Sequence, residues 1–168
     1  GVPLPSCIGD RAMTVAQLID RARSWVGTPY HHRARVKGAG VDCGQLIIAV
    51  HVEAGLVADF DTGFYTSDWH LHRYENRYLE FVEAHLGLVD SETGSVDQRL
   101  SSNALWQPPA GSVIVFKVGR TYSHGALVTG WPLIIHAYQP SGIVEEVSIL
   151  HTPMARRDIK IYMHGDLI

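Results

Sequence analysis

The sequence predicts an α+β domain with an antiparallel sheet, on three observations. Up to about residue 86, apolar residues recur at helical spacing. From residue 112 onward the chain breaks into short runs rich in β-branched residues, separated by Gly or Pro. Helices come first and strands later, whereas a parallel α/β sheet would alternate them. A chain of 168 residues is long enough for a proper core, so 1–168 reads as a single domain.

Residues 1 to 13 read as irregular. In "TVAQLIDRARSWVG", Thr14 and Gln17 form a possible capping box, Val15, Leu18, Ile19, Ala22 and Trp25 share one helical face, and Gly27 is a stop. "TPYHHRARVKGAG" reads as a loop rich in Gly and basic residues. A second helix starts near Asp42 and runs to about Ala54, with Leu46, Ile47 and Val50 inward and Gly55 at its end. A third helical pattern passes through Leu71, Tyr78 and Val82, and residues 87 to 110 read as polar and turn-rich. "SVIVFK", "HGALVTG", "PLIIHAY", "IVEEVSI" and "DIKIYMH" are the predicted strands.

Composition narrows the function. The formal charge of -3 gives no nucleic-acid footprint, and no apolar run approaches the roughly 18 to 20 residues that span a bilayer. Two cysteines, Cys7 and Cys43, with no CxxC pattern, make no disulfide framework and are compatible with a reducing compartment. No signal peptide is visible, yet the chain begins with Gly, which leaves a removed leader open. Cytoplasm, phage virion and cell envelope all stay open as locations.

Cys43 in "AGVDCGQLIIAV" is the residue whose chemistry matters most. With Asp42 as N-cap, Cys43 is the first helical residue. Unpaired N–H groups and the helix dipole there favour a thiolate, and the same groups can face an oxyanion. Against this, free cysteines are often buried small hydrophobes, and the Asp42 charge opposes thiolate formation. Position alone does not decide; a base is needed.

His124 and His136, in consecutive predicted strands, supply candidates. An odd-length hairpin loop would place them on one face, and an even loop on opposite faces unless a bulge intervenes. On one face, one imidazole could take the thiol proton while the other orients it.

These residues resemble those of the NlpC family of papain-like cysteine peptidases, which cut peptides of the bacterial cell wall. The resemblance runs through "GTPY" at 27–30, "VDCGQL" at 41–46, "PAGSVIVF" at 109–116, "SHGALVTG" and "IIHAY", in the family's order over about residues 14 to 138. It implies a papain-like fold, with N-terminal helices packed on the C-terminal sheet. By the same resemblance, Cys43 is the nucleophile, His124 the general base and His136 the orienting member. Tyr30, with Asp42 and Gly44, lines the substrate and oxyanion side. The implied reaction is hydrolysis of an amide in the peptidoglycan stem, between γ-D-glutamate and a diamino acid, through an acyl-thioester and without metal or other cofactor. The long loop between Tyr30 and Asp42 and the lack of wall-binding repeats look most like the phage tail-associated branch, which implies tail or secretion-complex subunits as partners. Many members carry Ser then Gly after the cysteine; Gly44 and Gln45 depart from that pattern and put substrate choice in question.

Other readings stand beside this one. His31–His32 and His70 with His72 suggest a metal site, but no spaced ligand set accompanies them, and solvated histidines are the simpler reading. Arg33, Arg35 and Lys37 make the loop before Cys43 basic, which is either plain solvation or a carboxylate-binding feature. Alternatives to a peptidase are a papain-like acyl-transfer enzyme acting on another acyl group, and a non-catalytic module of a phage tail or secretion complex.

Overall fold

The computed structural model describes residues 12–60, 62 and 77–167. The first helix, α1, spans Val15–Arg23 and starts at the expected capping box. The Gln17 N–H donates to Thr14 Oγ1 (3.1 Å), and the Thr14 N–H donates to Gln17 Oε1 (3.0 Å). These bonds satisfy two amides that a helix start leaves orphaned. Leu18, Ile19, Ala22 and Trp25 are buried, as their shared face predicts.

The basic loop is not wholly irregular. It contains a small hairpin, β1 (Arg35–Val36) and β2 (Gly40–Val41), turning at Gly38 with φ 80. Two residues per strand are too few to register as alternation, which is why periodicity misses it. Helix α2 covers Cys43–Glu53 with N-cap Asp42 and C-cap Ala54. Its burial exceeds the expectation. Besides Leu46, Ile47 and Val50, the side chains of Ile48, Ala49 and His51 are buried, so α2 is a core helix covered nearly all round. Helix α3, Arg77–His85, is the end of the third predicted pattern; residues 63–76 lie outside the described ones. Tyr78 and Val82 are buried as expected.

The polar stretch after it holds two further elements, β3 (Gly87–Asp90) and helix α4 (Val96–Ser102). Helix α4 opens with the same device as α1, a Ser95–Gln98 capping box. All five predicted strands are found: β4 (Val113–Val118), β5 (Thr121–Gly130), β6 (Leu133–Tyr138), β7 (Ile143–Ser148) and β8 (Ile159–Met163). The sheet is antiparallel throughout, in the order β3-β8-β4-β5-β6-β7. The chain is therefore α+β, as predicted.

Apolar layers lie on both faces of the sheet. Val113, Val115, Leu127 and Ile135 join the core of α1, α2 and α3, while Ile114, Phe116, Ala126 and Ile161 join Val96, Ile149 and Met154. A strand buried on both sides reads as a continuous apolar run, which explains "SVIVF". Among the described residues no helix is long and apolar enough to cross a membrane.

His51 carries a pH signature of this core. It is 2% exposed, and its Nδ1–H donates to the Ile47 carbonyl (2.8 Å). Burial disfavours the imidazolium and lowers its pKa to about 4, against the opposing pull of that bond. The unfolded state therefore binds this proton first. His51 stabilises the fold fully above about pH 6.5, and that contribution is lost as pH falls toward about 4. Denaturant unfolding of wild type should lose up to about 1.4 kcal/mol per pH unit from this group across that window, and His51→Leu should flatten the dependence. An unchanged slope would show that His51 is not buried neutral.

Candidate active site

Asp42 builds the start of α2. Its Oδ1 accepts the Gln45 N–H (2.9 Å), the N-cap bond, while Oδ2 accepts the Arg33 N–H (2.8 Å). Arg33 sits at φ 61, a left-handed conformation that is uncommon for a side-chain-bearing residue and is held here by that second bond. One buried carboxylate thus fixes both the helix start and the loop in front of it. That loop is stitched to β7 on its other side: the Tyr30 N–H donates to the Gly142 carbonyl (2.8 Å), and the Val144 N–H to the Thr28 carbonyl (2.8 Å).

Cys43 follows as the first residue of α2, half-buried and unbridged. Its thiol donates to the carbonyl of Ser123 on β5, at 3.6 Å. Burial, and then the Asp42 charge, push the thiol pKa up to about 12. The backbone N–H groups of Gly125, Gly44 and Cys43 itself pull the other way. The resting sulfur is therefore a neutral thiol facing three donors that could hold it as an anion. Tyr30 lies beside it: burial, then Cys43 and Asp42, drive its hydroxyl above the usual tyrosine range.

The two histidines meet. His124 Nε2 lies 2.9 Å from His136 Nδ1, and His136 Nε2 lies 3.0 Å from Glu145 Oε1. The hairpin loop is even-length, Trp131–Pro132 between the paired residues Gly130 and Leu133, which by itself would put the histidines on opposite faces. A bulge at Thr129 shifts the register by one, to Val128↔Ile134 and Leu127↔Ile135. His124 and His136 then share a face as diagonal neighbours just beyond the last pair. A second bulge leaves Ser123 unpaired between Phe116↔His124 and Lys117↔Tyr122, which frees its carbonyl to meet the thiol. The imidazoles are walled by aromatic rings, His124 by Phe116 at 5.7 Å and His136 by Tyr138 stacked at 4.8 Å. Burial lowers the pKa of both; the adjoining His136 adds to the shift at His124, while Glu145 opposes it at His136.

The structure thus brings Tyr30, Asp42, Gly44 and Cys43 together at the head of α2, and joins His124 to His136 on β5 and β6. Among the described residues no hydrogen bond joins the thiol to His124; the thiol's partner is the residue next to it. Two participants escape sequence reasoning. Glu145 becomes visible only when the four-residue turn Gln139–Gly142 fixes the register His136↔Glu145. Tyr78 packs its ring against Gly44, where an added Cβ would stand 3.3 Å from Cε2, and its hydroxyl against Gly125. Both glycines mark close approach, the one hint the sequence offered.

A cavity of about 900 Å³ adjoins the site, lined by His31, His32, Arg33, Arg35, Gln45 and Asp59 among others. Lys37 points elsewhere, with Nζ bonded to Ser24 Oγ (2.7 Å) and placed over the Trp25 ring. Arg35 is paired with Asp59 at 2.7 Å. Cys7, His70 and His72 lie outside the described residues. Among the described residues no group of three or more His, Cys, Asp or Glu is placed to hold a metal ion.

No protein-family model matches the chain, and no curated protein matches it in sequence. Solved structures do. The NlpC/p60 domain of the peptidoglycan hydrolase SagA superposes with a TM-score of 0.53 at 20% identity, covering 89% of this chain and 99% of that one. NlpC1 from Trichomonas vaginalis gives 0.60 at 12% identity, covering 92% of this chain and 45% of its own. An NlpC/p60 family protein from Bacillus cereus gives 0.59 at 18% identity, with coverages of 92% and 41%. The chain spans less than half of the latter two. The fold is that of NlpC/p60 domains, the papain-like arrangement that the motifs imply.

Gly125→Ala should drive a methyl group into the Tyr78 hydroxyl and cost about 1–3 kcal/mol in denaturant unfolding. Tyr78→Phe in the Gly125→Ala background should recover part of it, with a coupling of about 0.5–3 kcal/mol. Strict additivity would show that Tyr78 does not fill this space.

Proposed function

We propose that the chain, as one domain over 1–168, is a cysteine hydrolase that cuts amide bonds of peptidoglycan stem peptides, between γ-D-glutamate and a diamino acid. The observation that carries this reading is a thiol at a buried helix N-terminus, set against β5 beside the hydrogen-bonded His124–His136 pair, on an NlpC/p60 fold. Cys43 is the nucleophile, His124 the general base and His136 its orienting partner.

In the resting structure the thiol proton points at Ser123. A rotation about χ1 of Cys43 exchanges that carbonyl for His124 when substrate arrives, since catalytic bonds commonly tighten only in the substrate complex. His124 takes the proton, and the sulfur attacks the amide carbonyl. The N–H groups at the head of α2 face the resulting oxyanion, and Tyr30 lines the same side. The imidazolium returns its proton to the leaving amine, which departs and leaves an acyl-thioester on Cys43. Water, deprotonated by His124, then releases the acid and the free thiol. Placement in the phage tail-associated branch, with tail or secretion-complex subunits as partners, belongs to this proposal and is supported by the long loop from Tyr30 to Asp42.

Wild type and Cys43→Ala, incubated with peptidoglycan fragments of defined stem peptide, separate the readings by mass spectrometry. Cleavage at a stem amide by wild type alone is the expected result. Cleavage by both would remove Cys43 from the mechanism. Cleavage by neither would favour a non-catalytic module or an acyl-transfer enzyme acting elsewhere.

The basic cavity next to Gln45 suits an anionic stem peptide. Charge reversal at Arg33 should raise KM about tenfold with less effect on kcat. An unchanged KM would take the loop out of substrate binding.

A further inference from the structure

Glu145 stands at the end of a line of three side chains, and the donor and acceptor rules leave that line little freedom. His136 is fully buried and touches two partners, Glu145 through Nε2 (3.0 Å) and His124 through Nδ1 (2.9 Å). An ionised carboxylate only accepts, whereas a neutral imidazole has one donor and one acceptor nitrogen. We propose that Glu145 is a positioning residue that sets the tautomers of both histidines: its carboxylate accepts His136 Nε2–H, so His136 Nδ1 must accept from His124 Nε2–H, and His124 Nδ1 is left bare to take the Cys43 proton. The inference rests on the hydrolase reading for what the bare nitrogen is used for, but not for the tautomers themselves.

The alternatives cost more. Were His136 protonated on Nδ1 alone, its Nε2 lone pair would face the Glu145 carboxylate at hydrogen-bond distance, with no proton between two acceptors in a buried site. Were His136 doubly protonated, His124 would have to present Nδ1–H outward and could not act as a base. Full burial of His136 disfavours that charge, and its lowered pKa agrees. The ring planes are pinned, His136 by the near-parallel Tyr138 and His124 by Phe116, so a ring flip is not an easy escape.

Glu145 itself is anchored by register rather than by chance. It pairs with His136 across β6 and β7, and its side chain, 22% exposed, lines a cavity of about 570 Å³ with Tyr138 and His151. During turnover no proton need pass to it. The thiol proton moves to His124 Nδ1, Cys43 becomes the thiolate, and the imidazolium keeps both N–H bonds, with Nε2–H still donated to His136. The carboxylate stabilises that cation through the intervening ring, as the orienting acid does in a Ser-His-Asp triad.

The test reads tautomers directly, from the side-chain ¹⁵N chemical shifts and long-range ¹H–¹⁵N couplings of the wild-type chain near neutral pH. Both His124 and His136 should carry their proton on Nε2; a proton on Nδ1 of either would overturn the proposal, whatever the activity. Glu145→Leu removes the acceptor; it should shift His124 toward Nδ1–H and lower kcat on stem-peptide fragments at least tenfold with KM nearly unchanged, and unchanged tautomers and kcat would also overturn the proposal. Glu145→Gln keeps an acceptor oxygen without the charge, so it should retain more of the Nε2–H tautomers and of kcat than Leu does. Should Glu145→Leu fail to fold, the wild-type tautomers carry the test. Expected tautomers in a wild type that cleaves no fragment would sustain the positioning role and count against the hydrolase reading alone.

Discussion

The buried carboxylate of Asp42 is the joint on which the site depends. One oxygen closes the first turn of α2, and the other holds Arg33 in a left-handed conformation, so the helix and the loop before it are fixed by the same group. Loss of such a group would remove the bonds it accepts from two amides beside Cys43. The same charge also opposes ionisation of the neighbouring thiol. The local structure thus favours order over a preformed thiolate.

That choice constrains the chemistry. Burial and the Asp42 charge hold the thiol pKa well above the usual cysteine range, and the neighbouring histidines are themselves held neutral by burial. A resting thiolate–imidazolium pair is therefore disfavoured from both sides. On the proposed hydrolase reading, reactivity is produced in the substrate complex, where general-base transfer couples deprotonation to attack and the helix N–H groups receive the developing charge.

Much of the framework was legible in the sequence because local rules carried it. The Thr14–Gln17 capping box, the Asp42 cap and the β-branched runs each depend on neighbours within a few residues, and each is found. What escaped depends on short length or on distant register. Helix α4 has only Val96 and Leu100 as packed apolar residues, too few for periodicity, although its Ser95–Gln98 box repeats the signal read at α1. Strand β3 is an edge strand with Leu88 and Val89 exposed, so it shows no alternation. The parity of His124 and His136 was left open by the sequence and is decided by one bulge at Thr129, a backbone feature with no side-chain signature.

The two residues after Cys43 also have a physical reading. Gly44 lets the Tyr78 ring approach the first turn of α2 closely, and Gln45 reaches out to Thr62 (Nε2 to Oγ1, 2.9 Å), tying the start of α2 to the segment that walls the basic cavity. Neither contact touches the thiol, its carbonyl partner or the histidine pair. Both shape the first turn of α2: an aromatic ring packs against Gly44, and the Gln45 amide is held by Thr62. The His124–His136–Glu145 line is fixed by strand register, while the cleft wall is set by α3 and the loop before α2.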